Sequence, residues 1–248
     1  MNFQINTKDS EINKDQVEWQ KSSEVPLHYN IFPSLNQKQT EELEEIMLPV
    51  NYHQGDLLFQ EGSLSDGIYL ICNGVVVYGK QLKGETGRSR IFKLLGPGDL
   101  IGEETVFGQD SKSRFGYARC IVDVDLVFLE KSRFINFLYH TPDAFHDMCD
   151  YLSSSLKEFE YKLLNEGFLT TDKRLAKLLI KIYNQRGTRK NAGHRVCLKL
   201  QRKVLAGILG VSEGSISRTL NKLEKNGFLS LKDEKICIND TKKLNNFI

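Results

Sequence analysis

The chain has 248 residues, 40% hydrophobic and 27% charged, with 34 basic and 32 acidic side chains and a net charge of +2. That length and balance give one or two folded domains with a real core and exclude a wholly disordered, collagen-like or disulfide-dense chain. No run approaches the ~20 apolar residues of a membrane helix, and MNFQINTKDSEINKDQ lacks the apolar stretch of a secretory signal, so a cytoplasmic protein with no membrane partner is expected.

Residues 1–25 are polar, with Val17 and Trp19 as isolated large apolar side chains, and read as an extension. Ser34 with Gln37 fits a capping box for a helix over SLNQKQTEELEEIML, with Leu35, Leu43, Ile46 and Met47 on its apolar side. From about 50 to 130 the pattern becomes short β segments: DLLFQ, GIYLICNG, VVVYGKQ, RIFKLLG, YARCIVDVD and LVFLE. Twelve of the 19 glycines fall between Gly55 and Gly116, among them Gly84 and Gly87. Glycine turns between short strands predict a small sandwich or barrel.

Pro142 opens a long helix reaching about Leu164. Along it Phe145, Cys149, Leu152, Leu156, Phe159 and Leu163 recur at alternating steps of four and three. That heptad seam predicts a dimer interface, since a helix packed only on its own domain shows a wider stripe. Gly167-Phe168-Leu169-Thr170 breaks the helix. TDKRLAKLLIKIYNQRG forms the next one, ending at Gly187, and the polar loop TRKNAGH leads to a strand in RVCLKL.

Charge is split along the chain. Residues 1–170 carry 16 basic and 26 acidic side chains, and residues 171–248 carry 18 and 6. Net charges of −10 and +12 direct the C-terminal part towards a polyanion. Within it, QRKVLAGILGVSEGSISRTLNKLEK (201–225) places Val204, Leu205, Ile208 and Leu209 on one short helix. A Gly210-Val211-Ser212 turn follows, then a second helix capped by Ser212. Ile216, Leu220 and Leu223 share the apolar face of that helix. Gly214, Ser217, Arg218 and Asn221 share the opposite face, with Lys222 and Lys225 at its edge. Two short helices about a glycine turn are a helix-turn-helix, and FLSLKDEKICI reads as a β-hairpin wing.

Double-stranded DNA is therefore the expected partner. A helix fits the major groove, where Arg and Asn address guanine and adenine edges. Lysines and the helix N-terminus meet phosphates. Arg218 is the candidate for guanine readout and Ser217 for a base or phosphate contact. Ser212, Glu213, Gly214, Ser215, Asn221, Lys222 and Arg202 surround them, and Glu213 also suits the helix dipole.

Five cysteines, at 72, 120, 149, 197 and 237, are odd in number and scattered. That argues against a disulfide framework and a structural zinc site, so reduced thiols and no metal are expected. There is no P-loop, nucleophile elbow or HExxH. Glu103 and Glu104, as neighbours on a strand, would point to opposite faces and make a poor acid/base pair. An enzyme is not expected.

Gly55-Asp56, Glu61-Gly62, Gly74 and GPGDLIGEETVFG (96–108), with VSEGSISRTLNKLEKNGFL (211–229), resemble the Crp/Fnr family of bacterial transcription regulators over about residues 30–240. The resemblance implies an α+β fold. Its parts are an N-terminal extension (1–25), a cyclic-nucleotide-binding-like antiparallel β-roll or jelly-roll sensor (26–141), a dimerisation helix (142–166) and a winged helix-turn-helix (167–248). It further implies a homodimer on a near-palindromic site with half-sites one helical turn, ~34 Å, apart. RNA polymerase becomes a protein partner, and an unidentified small-molecule effector at the junction of β domain and long helix shifts the DNA-binding parts between two arrangements.

In relatives that bind cyclic AMP, a Gly-Glu pair and a downstream Arg-Ser hold ribose and phosphate. Gly102 and Glu103 match the pair, and Arg114 the arginine. Phe115 stands where the small hydroxyl residue would be, and Glu104 replaces an apolar residue. Phe159 and Glu160 stand where relatives place the hydroxyls that reach adenine. Gly102, Glu103, Arg114, Phe115, Phe159 and Glu160 are thus the candidate effector pocket, and the departures argue against cyclic AMP. No cysteine precedes Cys72, which disfavours an iron–sulfur cluster. His28, His53, His140, His146 and His194 leave haem open. Gly214 stands where many relatives place Glu, removing an acceptor for cytosine N4, so the operator should differ from the best-known ones. The alternative function is a ligand-sensing regulatory subunit acting on a protein partner, or a haem-based gas-sensing variant of the same regulator.

Overall fold

The computed structural model describes residues 31–81, 89–107, 113–165, 169–185 and 197–248. The N-terminal extension, the Gly84/Gly87 turn, Gly167-Phe168 and the 188–194 loop lie outside the described residues.

Helix α1 (Gln37–Glu45) is capped by Asn36, two residues later than the sequence pattern suggested. Asn36 Oδ1 accepts from the Gln39 amide, and Gln39 Oε1 accepts from the Asn36 amide. Ser34 is instead held by Asp147, to which its amide and hydroxyl both donate. Met47 and Leu48 do not extend the helix. They open strand β1 (Met47–Tyr52), because pairing with β8 (Val124–Glu130) offers their backbone a full ladder from Met47↔Leu129 to Tyr52↔Val124.

The remaining strands of this part are β2 (Leu57–Phe59), β3 (Gly67–Asn73), β4 (Val76–Gln81), β5 (Ser89–Leu95), β6 (Leu100–Ile101) and β7 (Tyr117–Cys120). They form two antiparallel four-stranded sheets, β1-β8-β3-β6 and β2-β7-β4-β5. YARCIVDVD is thus two strands, β7 and the start of β8, broken after Cys120. Strand side chains alternate faces, and each alternation has a destination. Tyr69, Ile71, Val76, Tyr78, Leu126 and Phe128 fill the space between the sheets. Ile68, Leu70, Val127 and Leu129 point outward onto helices α1, α3 (Lys131–His140) and α4 (Pro142–Asn165), meeting Leu43, Phe134 and Met148. Val75, Val77 and Leu94, on the outer side of the other sheet, join the C-terminal core. The run VVVY lacks polar alternation because both of its faces are covered.

Helix α2 (Glu104–Phe107) follows β6 after a turn at Gly102-Glu103. The C-terminal part contains α5 (Thr171–Gln185), β9 (Cys197–Leu198), α6 (Arg202–Leu209), α7 (Glu213–Lys225), β10 (Leu229–Lys232), β11 (Lys235–Ile238) and α8 (Thr241–Phe247). β10, β11 and β9 make an antiparallel sheet in that order. The β10–β11 turn, Asp233-Glu234, takes positive φ at both residues, 48° and 59°. That is the twist a two-residue hairpin requires.

Cys197 and Cys237 stand directly opposite one another in this sheet and form a disulfide. The scattered spacing had argued against one, and the β9–β11 pairing overrides the 40-residue separation. Cys72, Cys120 and Cys149 are free. Among the described residues no helix is long and apolar enough to cross a membrane.

Candidate nucleic-acid interface and effector pocket

The helix-turn-helix is built by local rules. Gly210 ends α6 in the left-handed region, at φ 66° and ψ 33°, which glycine reaches without a Cβ penalty. Ser212 caps α7, its side chain accepting from the Ser215 amide. Ile216, Thr219, Leu220 and Leu223 are buried. Two residues that the sequence reading missed orient the pair from α5. Arg174 Nη2 donates to the Leu209 carbonyl at the end of α6, at 2.7 Å. Asp172 accepts from Thr219 Oγ1 at 3.2 Å and from Lys222 Nζ. The signal available beforehand was an acidic residue in the first turn of a helix rich in lysine.

The opposite face of α7 is open. Glu213, Gly214, Arg218, Asn221 and Lys222 are exposed, as are Ser212 before the helix and Arg202 at the start of α6, while Ser215 and Ser217 are half-buried. Arg218 and Asn221 have the donors that guanine and adenine edges need. The Ser217 hydroxyl donates back to the Glu213 carbonyl at 3.0 Å, leaving its lone pairs outward. Lys222 is held by Asp172 rather than standing as a lone cation, so its role as a phosphate contact is weakened. A Cβ on Gly214 would meet nothing closer than Ser212 Oγ at 4.0 Å. The fold therefore does not demand glycine there, and its smallness leaves the α7 N-terminus approachable.

Three of the six expected effector residues come together in the β-roll. Gly102 turns the chain after β6 at φ 91°, and a Cβ there would lie 2.1 Å from Arg114 Nη1. Arg114 is 1% exposed. Its Nη2 donates to the Gly67 carbonyl at 2.6 Å and to Asp66 Oδ1 at 2.9 Å, and its Nη1 reaches Thr105 Oγ1 at 3.4 Å. The guanidinium lies 4.3 Å from the Phe59 ring centre, and Nε has no partner. Glu103 is buried and accepts from Lys93 Nζ at 2.7 Å. Burial pushes its carboxyl above the usual range, more than Lys93 pulls it back. Glu104 accepts from the Tyr78 hydroxyl at 2.7 Å. Glu103 and Glu104 are not strand neighbours: they enter α2 through the Gly102 turn.

Among the described residues no hydrogen bond ties the other three to this group. Phe115 is exposed, with Lys80 Nζ 3.8 Å above its ring and Phe92 beside it. Phe159 and Glu160 are exposed on α4, and among the described residues no hydrogen bond from Arg114, Glu103 or Thr105 reaches them. A cleft of about 420 Å³ between α1 and α3, lined by Glu42, Arg133, Phe137 and His140, contains none of the six.

The donors fit a cyclic nucleotide only after exchange. An incoming phosphate must take Arg114 from Asp66, and a ribose hydroxyl must share Glu103 with Lys93. Among the described residues no buried histidine is placed to be an axial haem ligand. His53, His140 and His146 are exposed, and His28 and His194 lie outside the described residues. Among the described residues no group of three His, Cys, Asp or Glu could hold a metal.

Two family descriptions match, in the order in which the structure places their folds. The cyclic nucleotide-binding domain covers residues 49–140, and the Crp-like helix-turn-helix domain covers residues 173–247. The chain belongs to the Crp/Fnr family. It is a transcriptional regulator of the Crp/Fnr type and not an enzyme. A Crp/Fnr relative in Mycobacterium tuberculosis, the CRP-like cAMP-activated global transcriptional regulator, is 24% identical over 221 residues, 89% of this chain and 97% of the relative. The Cyclic AMP receptor protein of Thermus thermophilus is 27% identical over 180 residues, 73% of this chain and 78% of the relative. Among solved structures, FixK2 from Bradyrhizobium japonicum shares the fold with a TM-score of 0.64 at 20% identity, covering 81% of this chain and 96% of that one. The c-di-GMP responsive global regulator CLP of Xanthomonas campestris does so with a TM-score of 0.63 at 20% identity, covering 83% and 100%.

Proposed function

We propose that this regulator works in the cytoplasm as a homodimer that places two copies of α7 in successive major grooves of a near-palindromic duplex. A small effector at the β-roll and α4 shifts the two helices between arrangements, and RNA polymerase is the protein partner at the promoter. The observation that carries the reading is the open face of α7. Arg218 and Asn221 project from a helix whose other face is fixed by Ile216, Leu220, Leu223 and the Asp172 contacts. The α4 seam supports the dimer. Ala144 and Met148 pack onto the chain's own core, whereas Phe145, Leu156 and Phe159 are 47%, 59% and 43% exposed. Cys149 is exposed beside them. Leu152 is the exception, half-buried against the chain's own core, and the Leu163 side chain lies outside the described residues. An apolar stripe of this kind on a soluble chain marks a contact, and a heptad spacing favours a second copy of the same helix.

Selection of bound sites from random duplexes by the full chain tests the DNA reading. Two related half-sites about one helical turn apart are expected, with affinity falling steeply as salt rises. No enriched sequence would overturn it. Arg218→Ala is expected to cost about 1–3 kcal/mol on the selected site, measured by fluorescence anisotropy, and to relax choice at one base pair. Equal affinity for wild type and variant would remove Arg218 from base readout.

Leu156→Lys is expected to weaken the dimer at least tenfold in analytical ultracentrifugation, because a lysine in the seam puts charge where the partner helix is apolar. An unchanged dimer would place the interface elsewhere. For the effector, the self-occupied Arg114 and the aromatic Phe115 speak against simple cyclic AMP binding. A native mass spectrum beside an absorbance spectrum reads bound mass and any Soret band directly; such a band would overturn the argument from exposed histidines.

A further inference from the structure

The disulfide sits at a mechanical junction. Among the described residues β9 has two residues and joins its sheet through two pairs, Ile236↔Leu198 and Cys237↔Cys197. A ladder that short is weak by itself. The Cys197–Cys237 bond adds a covalent tie between β9 and the wing to the packing of Leu198 on Ile236 and Ile238, and it closes a covalent loop that contains both α6 and α7.

β9 is also one of the places where the C-terminal part meets the β-roll, α6 against β5 being another. Gln54, in the turn after β1, donates from Nε2 to the Ile121 carbonyl at 2.9 Å and to the Lys199 carbonyl at 2.6 Å. Lys199 is the residue after β9. Leu198 and Leu200 are buried in the same apolar cluster as Val75, Ile121 and Val122 of the β-roll. One end of the bond is thus attached to the β-roll side and the other to the wing.

We propose that Cys197 and Cys237 are a thiol–disulfide exchange site: oxidised by a small disulfide such as oxidised glutathione, the pair fastens the wing to the domain junction, and reduced, it lets the two move separately. Cys197 is half-buried and Cys237 buried, so attack begins at Cys197. Its thiolate attacks one sulfur of oxidised glutathione, breaking that S–S bond, forming a mixed disulfide and releasing one glutathione thiolate. The Cys237 thiolate then attacks the Cys197 sulfur and releases the second. The cysteine pair loses two electrons and two protons, and both are carried away as two molecules of reduced glutathione. Cys72 and Cys120 compete poorly, because burial pushes their thiols up to about 11 and about 12. Exposed Cys149 has no second cysteine of its own chain beside it, so within one chain it goes no further than a mixed disulfide.

The test uses the full chain, equilibrated with oxidised glutathione or with dithiothreitol. Thiols are then blocked with iodoacetamide and peptides mapped by mass spectrometry. The oxidised sample should carry the Cys197–Cys237 crosslink, and the reduced sample two alkylated cysteines. Amide hydrogen exchange on each form should then rise at least tenfold on reduction across residues 197–200 and 229–238, with less than twofold change in β3 and β8. Cys237→Ser kept in oxidised glutathione should exchange like the reduced wild type. Absence of the crosslink, or a crosslink with unchanged exchange, would overturn the proposal. No DNA is present in this experiment, so its failure is separate from a failure of the DNA-binding reading.

Discussion

Arg114→Ala is expected to destabilise the β-roll by about 3–5 kcal/mol in the absence of any ligand. The loss has three parts. The Gly67 carbonyl loses a 2.6 Å donor in a buried setting, and a buried acceptor without a partner is costly. The Phe59 ring loses the guanidinium that stacks on it. The shape left behind is a void beside Gly102, whose missing Cβ had made room for the guanidinium. Asp66 adds little, because its side chain is 51% exposed and rehydrates when released. Urea unfolding followed by circular dichroism reads the effect as a lower midpoint. An unchanged midpoint would mean that Arg114 is held at no net gain, poised for an anion rather than serving as a strut.

Lys93→Met should cost about 3 kcal/mol at pH 8 and clearly less at pH 5. Glu103 has a side chain only 8% exposed, and Lys93 is the cation at its carboxylate. Removing one member of such a pair leaves the other charge buried and alone. Burial already raises the Glu103 carboxyl above its usual range, and losing Lys93 raises it further. Above the ordinary carboxylate range the folded variant then binds more protons than the unfolded chain. Stability therefore falls as pH rises through that window and recovers as pH drops below it. Urea midpoints for wild type and variant between pH 5 and 8 measure this directly. A difference that does not change with pH would mean that Lys93 acts through the packing of its stem alone.

Arg114 and Glu103 also explain why a familiar motif does not by itself deliver an effector. Gly102, Glu103 and Arg114 were recognisable in the chain and do converge, because a left-handed turn after β6 brings Gly102 against the arginine. Their occupants were not recognisable. Asp66 and Gly67 lie 48 and 47 residues before Arg114, and Lys93 lies on a different strand from the Gly102 turn. Only the register of β3 and β5 decides that these groups fill the cradle. Phe115, Phe159 and Glu160 were carried to the pocket by resemblance alone, and the structure keeps them on the surface.

The helix-turn-helix was legible for the opposite reason. Ser212, Gly210 and the spacing of Ile216, Leu220 and Leu223 act over one or two helical turns, so capping and a 3.6-residue period are written locally. The same holds for most strands, where glycine turns and period-two runs suffice. At β1 only Met47 and Leu48 were read as helix, because they continue the apolar pattern of α1 up to Pro49, and their ladder with β8 makes them strand. Helices α3 and α8 were missed, being short elements whose caps, Glu130 and Asp240, gave no strong pattern.

The chain by itself thus determines what short-range forces determine: the helices that carry Arg218 and Asn221, the heptad spacing of apolar residues on α4, and the split of charge between its halves. Tertiary structure alone decides what depends on strands meeting from far apart. The β9–β11 register turns two scattered cysteines into a pair, the packing of Val75, Val77 and Leu94 on the helix-turn-helix core joins the two halves, and the neighbours of Arg114 make a binding motif satisfy itself.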